Sequence, residues 1–389
     1  MKRTVFDKLL PLCLALLVLT ACGGDAPGDP GAGGASRTEV DYNQYSGAPG
    51  TFVYTDSAYL TFSNQQIRFL EPSLTAPLSP LCARAECGHS DESCPAHLEG
   101  YGLSAYGGSL YYIDNPTHGV LRLCRMGLTG EDRTVLYTMQ VDSPGYTYGI
   151  DAGCGYFTLN LFAWELAGPV NTLYLFSLAD SRPEPVVLYT NRDCFDGDPS
   201  GEAEGSQSVF TFGALPGIPQ VDVTFPRDGW IFYSLLLDGA YQLYGYETGT
   251  GETSLVLEDW GFSSVMSPRD GLLYWYTPED GLCSTDLASG ETRRYLVPPG
   301  AEAAYHWHYD DLYFYLFSKA DAGLAVYTYE GDLVQFIPFG GLDLLPVYAL
   351  STPDYILFCD SGDYVNCDYA CYVEKAALAA GTAEFIPLA

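Results

Sequence analysis

The chain has 389 residues, with 17 Lys and Arg against 49 Asp and Glu, a formal net charge of −32. Nucleic acid and anionic headgroups are drawn to basic surfaces, so this balance argues against both as partners. It suits the solubility of an exported protein and does not by itself imply cation binding.

The first element is a basic start, Lys2, Arg3 and Lys8, followed by an apolar run from Leu9 to Leu19. That run has the length of a secretory hydrophobic region and is too short to span a bilayer comfortably as a mature helix. It ends in Leu19-Thr20-Ala21-Cys22, with Gly23 and Gly24 beyond. Small residues before a cysteine, in this order, resemble a bacterial lipobox. The resemblance implies a signal peptide over 1–21, a lipid on the Cys22 thiol, and a mature chain anchored on the extracytoplasmic face of the cell membrane. An ordinary secretory signal with a chance cysteine is the alternative. Removing Lys2, Arg3, Lys8 and Asp7 takes the 17 basic and 49 acidic residues to 14 and 48, a net charge of −34. Residues 22–39 then form a flexible tether, since Gly23 to Ser36 is nearly all Gly, Ala, Pro, Asp and Ser and cannot build a core.

From residue 40 to 389 the chain reads as strands, with period-two alternation broken by turn residues. One phrase recurs: a turn, then two or three aromatic or aliphatic residues. It appears as Gly108-Ser109-Leu110-Tyr111-Tyr112, Asp228-Gly229-Trp230-Ile231-Phe232, Asp270-Gly271-Leu272-Leu273-Tyr274 and Asp310-Asp311-Leu312-Tyr313-Phe314. Seven copies place aromatic or aliphatic second strands near Tyr59, Tyr111, Tyr156, Phe232, Tyr274, Tyr313 and Leu357. Third strands follow, from Gln66–Leu70 to Ala370–Lys375, then turns such as Thr250-Gly251-Glu252 and Ser289-Gly290-Glu291. Fourth strands follow at Thr134–Thr138, Val186–Thr190, Leu333–Pro338 and Ala383–Leu388. Lys375–Ala380 is the best helical stretch. A spacing of about forty to fifty residues suits four-stranded blades, so the chain is expected to be an all-β propeller of seven blades, with six or eight as neighbouring counts. A β-solenoid is the rival architecture. The 32 tyrosines sit mainly within the strands, where they are expected to fill the space between blades.

The copies lack the Gly-His and Trp-Asp marks of WD40 repeats and the paired glycines of kelch. As a set they resemble the TolB-like propellers. They are also similar to predicted lipoproteins of anaerobic Gram-positive bacteria that carry a related domain of unknown function. The resemblance implies a fold and a cell-surface address, and no activity.

Three places break the repeat: a cysteine-histidine loop after the first copy, an acidic insertion after the third, and a cysteine cluster in the last. The sharpest is Cys82-x4-Cys87-x-His89-x4-Cys94, placed after the first copy. Two chemistries compete for it. Three thiolates and an imidazole can make a Cys3His zinc site, with Gly88 turning the backbone between ligands. Exported proteins with an even number of cysteines favour disulfides instead, and ten cysteines remain after cleavage and lipidation of Cys22. Cys124 is then a candidate partner for the loop, and Cys359, Cys367 and Cys371 crowd the last blade. The second break is the acidic insertion Asn191–Val221, where Asp193, Asp196, Asp198, Glu202 and Glu204 do not match calcium-loop spacing. A further pair, His306 and His308, shares one face of a strand. It can contribute two metal ligands or pack among aromatics.

No Gly-x-Ser-x-Gly elbow, phosphate-binding loop or His-Glu-x-x-His motif is present. The expected function is a membrane-anchored binding or scaffold module for a protein, peptide or glycan ligand, with zinc as a possible cofactor. An extracellular polymer-degrading hydrolase or lyase with its site at the propeller channel is the alternative.

Overall fold

The computed structural model describes residues 50–388 except 166–167, 196–219, 228, 238–239, 261–265, 270–271, 278–280, 296–303, 311, 319–321, 341, 343–345 and 361–367. The signal, Cys22, the tether, Cys367 and the acidic groups from Asp196 to Glu204 lie outside the described residues.

Seven four-stranded antiparallel sheets follow one another, each made of four consecutive strands in chain order. They form a seven-bladed β-propeller, so the counts of six and eight and the solenoid fall away. The first strands begin at Phe52, Tyr101, Tyr146, Gln220, Met266, Ala304 and Pro346. The short helix Lys375–Ala379 lies between the third and fourth strands of blade 7.

The aromatic phrase forms the second strand because each blade is covered on both faces. Successive strand side chains point to opposite sides of the sheet. In blade 2, Leu110 and Tyr112 pack toward blade 1, while Tyr111 and Ile113 pack toward blade 3. In blade 6, Tyr315 and Phe317 meet blade 7, while Phe314 and Leu316 meet blade 5. In blade 7, Ile356 and Phe358 face blade 6, and Leu357 and Cys359 face blade 1. A strand buried on both faces reads as a continuous apolar run rather than an alternation. Seven apolar clusters result, one for each pair of neighbouring blades.

Turns repeat with the strands. Between first and second strands a side-chain oxygen receives backbone N–H groups. Ala58 N donates to Thr55 Oγ1 at 3.0 Å, Tyr355 N to Thr352 Oγ1 at 2.9 Å, and Leu312 and Tyr313 N to Asp310 Oδ1 at 2.7 and 2.9 Å. Short polar side chains mimic a backbone turn in this way. Between third and fourth strands the turn needs a left-handed residue. Gly130, Gly251, Gly290 and Gly331 supply it, with φ between 74 and 93°.

Polar ties cross several junctions, among them blades 2 and 3 and blades 3 and 4, and two more hold blade 7. At blades 6 and 7 the Asp310 carboxylate is buried and receives Tyr315 OH at 2.6 Å, Ser351 Oγ at 2.7 Å and Lys375 Nζ at 2.6 Å. Burial alone would raise its pKa. The Lys375 charge and the hydrogen bonds outweigh that and hold the carboxyl below its usual range. At blades 7 and 1 the ring closes. Phe52 and Tyr369 rings stand 5.1 Å apart, Tyr369 OH donates to Leu60 O at 2.8 Å, Ser63 Oγ donates to Asp368 at 3.2 Å, and Arg68 pairs with Asp368.

Two outcomes follow. Phe52 is 2% exposed, and Phe52→Ala should cost about 3–5 kcal/mol in denaturant unfolding. A loss under about 1 kcal/mol would show that ring closure does not depend on this contact. Asp310→Asn leaves Lys375 buried without its counter-charge and should cost about 3–5 kcal/mol at pH 7. Because the folded pKa is depressed, the stabilisation is complete above the unfolded carboxyl pKa of about 4 and is lost as pH falls through the lower folded value. The variant's unfolding free energy should therefore fall less steeply than the wild type's below about pH 4.

Candidate metal centre

The Cys-His segment does not follow blade 1; it interrupts the blade's fourth strand. Ser79 and Pro80 pair with Phe69 and Arg68, and Leu81 N continues the ladder to Ile67 O at 2.9 Å. The chain then leaves the sheet at Cys82 and returns after Cys94. Ile67 N donates to Ala96 O at 2.7 Å, His97 bridges Gln66, and Leu98 N donates to Gln65 O at 3.0 Å. The outer edge of the third strand is thus covered by two short pieces in one direction, with residues 82–95 as an excursion between them.

Inside the excursion the ligand atoms of Cys82, Cys87, His89 and Cys94 all lie within 4.8 Å of one another. His89 Nδ1 is 3.3 Å from Cys94 Sγ. Donors around one tetrahedral zinc stand about 3.5–3.8 Å apart, given the usual Zn–S and Zn–N lengths. The four side chains can therefore hold a metal ion with small side-chain adjustments. Among the described residues this is the one group of three or more His, Cys, Asp and Glu side chains so arranged.

Backbone amides face two of the sulfurs. Ala96 N donates to Cys94 Sγ at 3.3 Å, and the His89 amide does the same for Cys87, which lowers the Cys87 thiol pKa. Burial pushes the Cys94 thiol up to about 11. Further bonds fix the excursion. Gln66 Nε2 donates to His89 O at 3.2 Å, Arg84 Nη1 to Ser93 O at 2.7 Å, and Ser93 N to Asp91 Oδ1 at 2.9 Å. The left-handed residue between ligands is His89 itself, with φ 52°. Gly88 is not the turning point: a Cβ there would meet only Ser90 Oγ at 3.6 Å.

The rival disulfide pairings do not form among the described cysteines. Cys82, Cys87, Cys94, Cys124 and Cys371 are free thiols. Cys124 lies buried in the same apolar cluster as Cys94. Cys359 and Cys371 face opposite sides of blade 7: Cys371 packs toward blade 6 and Cys359 toward blade 1. The register, Phe358 opposite Cys371 and Cys359 opposite Tyr369, keeps them apart.

His306 and His308 lie in the first strand of blade 6, Ala304–Tyr309. The side chain of His306 lies outside the described residues. The His308 ring stacks on Tyr348, centroids 4.2 Å apart and planes 8° apart, as a packed histidine does.

Sequence reading missed Arg133. Its Nη2 donates to Pro95 O at 2.6 Å and to His97 O at 2.8 Å, and its guanidinium lies 5.8 Å from the Tyr112 ring centroid. It fastens the returning end of the excursion to blade 2. Nothing in the sequence singles it out among the 17 basic residues, because its half-burial leaves no spacing pattern. Beside it His97, Glu99, Tyr112, Asp114 and Cys124 line a cavity of about 180 Å³. Small-molecule sites run to about 300–1,000 Å³, so this one is too small for a cofactor-sized ligand. Burial raises the Asp114 carboxyl pKa there, against the lowering effect of Arg122.

No family model matches the chain, and no curated protein matches it. Solved structures do. Over 89% of this chain and 50% of the other, it resembles a prolyl endopeptidase at 11% identity and a TM-score of 0.56. It covers 81% of BamB from Moraxella catarrhalis with 81% of its own length, at 12% identity and a TM-score of 0.40. It also matches the computationally designed protein Ika8 over 90% of this chain and 98% of that one, at 12% identity and a TM-score of 0.45. At these identities the likeness is one of fold, and the fold is a β-propeller.

Proposed function

We propose that this chain is a lipid-anchored, TolB-like propeller on the extracytoplasmic face of the cell membrane. It serves there as a binding or scaffold module for a protein, peptide or glycan. The observation that carries the reading is the closed seven-bladed ring. Such a ring brings loops from several blades together at each face, which suits recognition of an extended partner. The acidic balance of the chain favours partners other than nucleic acid. The clustered cysteines and histidine stand at the outer strand of blade 1 rather than on the first strands that line a propeller's channel. A metal there supports the fold and leaves the channel to ligands. We assign zinc to that position, because thiolate and imidazole donors in a four-ligand set suit zinc better than hard, oxygen-seeking cations.

Three measurements bear on these points. Affinity capture from native envelopes should recover a specific partner at stoichiometric yield. Turnover of an extracellular polymer by the soluble domain, with no partner recovered, would favour the hydrolase or lyase. Cys22→Ala should abolish lipid labelling and release the protein from the membrane fraction; unchanged labelling would remove the anchor from the reading. Metal analysis of purified protein should give one zinc per chain. A zinc content of zero, with Cys82, Cys87 and Cys94 oxidised by mass spectrometry, would overturn the zinc assignment.

A further inference from the structure

We infer that zinc at Cys82, Cys87, His89 and Cys94 is a splint: it holds together the two halves of a broken outer strand and docks them on blade 2. The inference rests on the zinc assignment above and concerns what the ion does.

Blade 1 has a two-residue regular fourth strand, Ser79–Pro80, as short as Ile386–Pro387 in blade 7, against Thr134–Gln140 in blade 2 and Leu333–Pro338 in blade 6. Those two residues, one of them a proline without an N–H, pair with only Arg68 and Phe69 of the five-residue third strand. The cover is completed by residues 96–98, which rejoin the ladder after the excursion. Cys82 directly follows Leu81, the last residue of the outgoing piece. Cys94 lies two residues before Ala96, the first residue of the returning piece to bond Ile67. The first and last ligands therefore flank the gap, and the ion would bridge it. With four protein donors the site has no open position, which marks structural rather than catalytic zinc. Ordering such an excursion costs conformational freedom, and metal–ligand bonds offset it because the unfolded chain has no preformed site.

The returning piece also joins two blades. Cys94, Ala96 and Leu98 are buried with Leu110, Tyr112 and Met126 of blade 2. Arg133 of blade 2 holds the carbonyls of Pro95 and His97. Gly130, in the turn before Arg133, lets Pro95 approach so closely that a Cβ would stand 2.8 Å from the proline ring. Zinc on Cys94 fixes the residue next to all of these contacts.

The test uses the reduced full chain, loaded with Zn²⁺, stripped with a strong chelator, and reloaded with Zn²⁺. Hydrogen exchange is followed at the amides of Ile67, Leu81 and Leu98, which close the broken strand. Stripping should accelerate them by about tenfold or more, and reloading should restore them. Amides of Leu159 and Leu175 in blade 3 should not change. If one zinc binds per chain and these three amides stay protected after stripping, the splint is overturned and the zinc assignment stands. If no zinc binds, both fall. If blade 3 accelerates equally, the ion acts on global stability and the splint is overturned. Arg133→Gln separates the two tasks: zinc binding should persist while Leu98 exchanges faster than Ile67. Equal rates at both amides would overturn the docking part.

Discussion

Every blade in this protein is apolar on both faces, and that requirement closes the ring. A sheet with one apolar face can rest on a single neighbour; a sheet with two must be held between two. Period two divides each second strand between its two interfaces, as Tyr111 and Ile113 turn one way and Leu110 and Tyr112 the other. Repeating the demand seven times leaves no blade able to end the series in solvent, so the last must cover the first. No strand is exchanged to make that closure among the described residues, since each sheet uses four consecutive strands. Side chains do it: Phe52, Tyr59 and Leu70 against Leu350, Leu357 and Tyr369. Tyr369 and Leu60 are 309 positions apart, whereas the other interfaces join neighbours in sequence. Loop-closure entropy therefore weighs most on this interface, and it has the largest need of good packing.

Polar groups act where apolar packing does not discriminate. One hydrophobic interface resembles another in composition, so the clusters alone specify neighbours weakly. Asp310 turns a turn-capping position into a marker of place. Thr55 caps the same turn in blade 1, and Thr352 caps it in blade 7 and also meets Tyr59 of blade 1. The carboxylate at 310 also reaches Tyr315 in its own blade, and Ser351 and Lys375 in the next. Lys375 opens the short helix of blade 7, so one side chain ties a turn, a strand and a helix. Buried and fully hydrogen-bonded, such a network tolerates few other arrangements.

The repeat was legible because its signal is local. Third strands at Gln66–Leu70 and fourth strands at Val186–Thr190 and Leu333–Pro338 have the bounds their alternation predicts, and the helical stretch after Glu374 is a helix. The broken strand was not legible. Two-residue pieces show no period, and Pro80 argues against a strand from sequence alone. The link between Asp310 and Lys375 was hidden for another reason, because ion pairs at long separation leave no spacing pattern. The cysteines of blade 7 show the limit of proximity in sequence. Cys359 and Cys371 lie on adjacent strands, yet a bulge and the pleat send them to opposite interfaces. The candidate metal ligands were legible as a set, while their place inside a strand was not. The turn sits at His89 and not at the expected Gly88 because glycine is the usual, and not the obligatory, left-handed residue.

Charge gives a last reason to prefer a metal to a disulfide at this loop. A disulfide takes two of the three thiols and leaves the third, with the imidazole, without a role. Three thiolates, a neutral imidazole and a divalent ion use all four donors and carry one net negative charge. An acidic protein is a poor host for another negative charge unless cations stand near it. Here they do. Arg84 lies within the excursion and donates to Ser93 O beside Cys94, and Arg133 meets the backbone immediately after Cys94. Amides of His89 and Ala96 point at two of the sulfurs. Two of the chain's few arginines are thus spent on a segment of fewer than twenty residues, where a neutral disulfide would need neither.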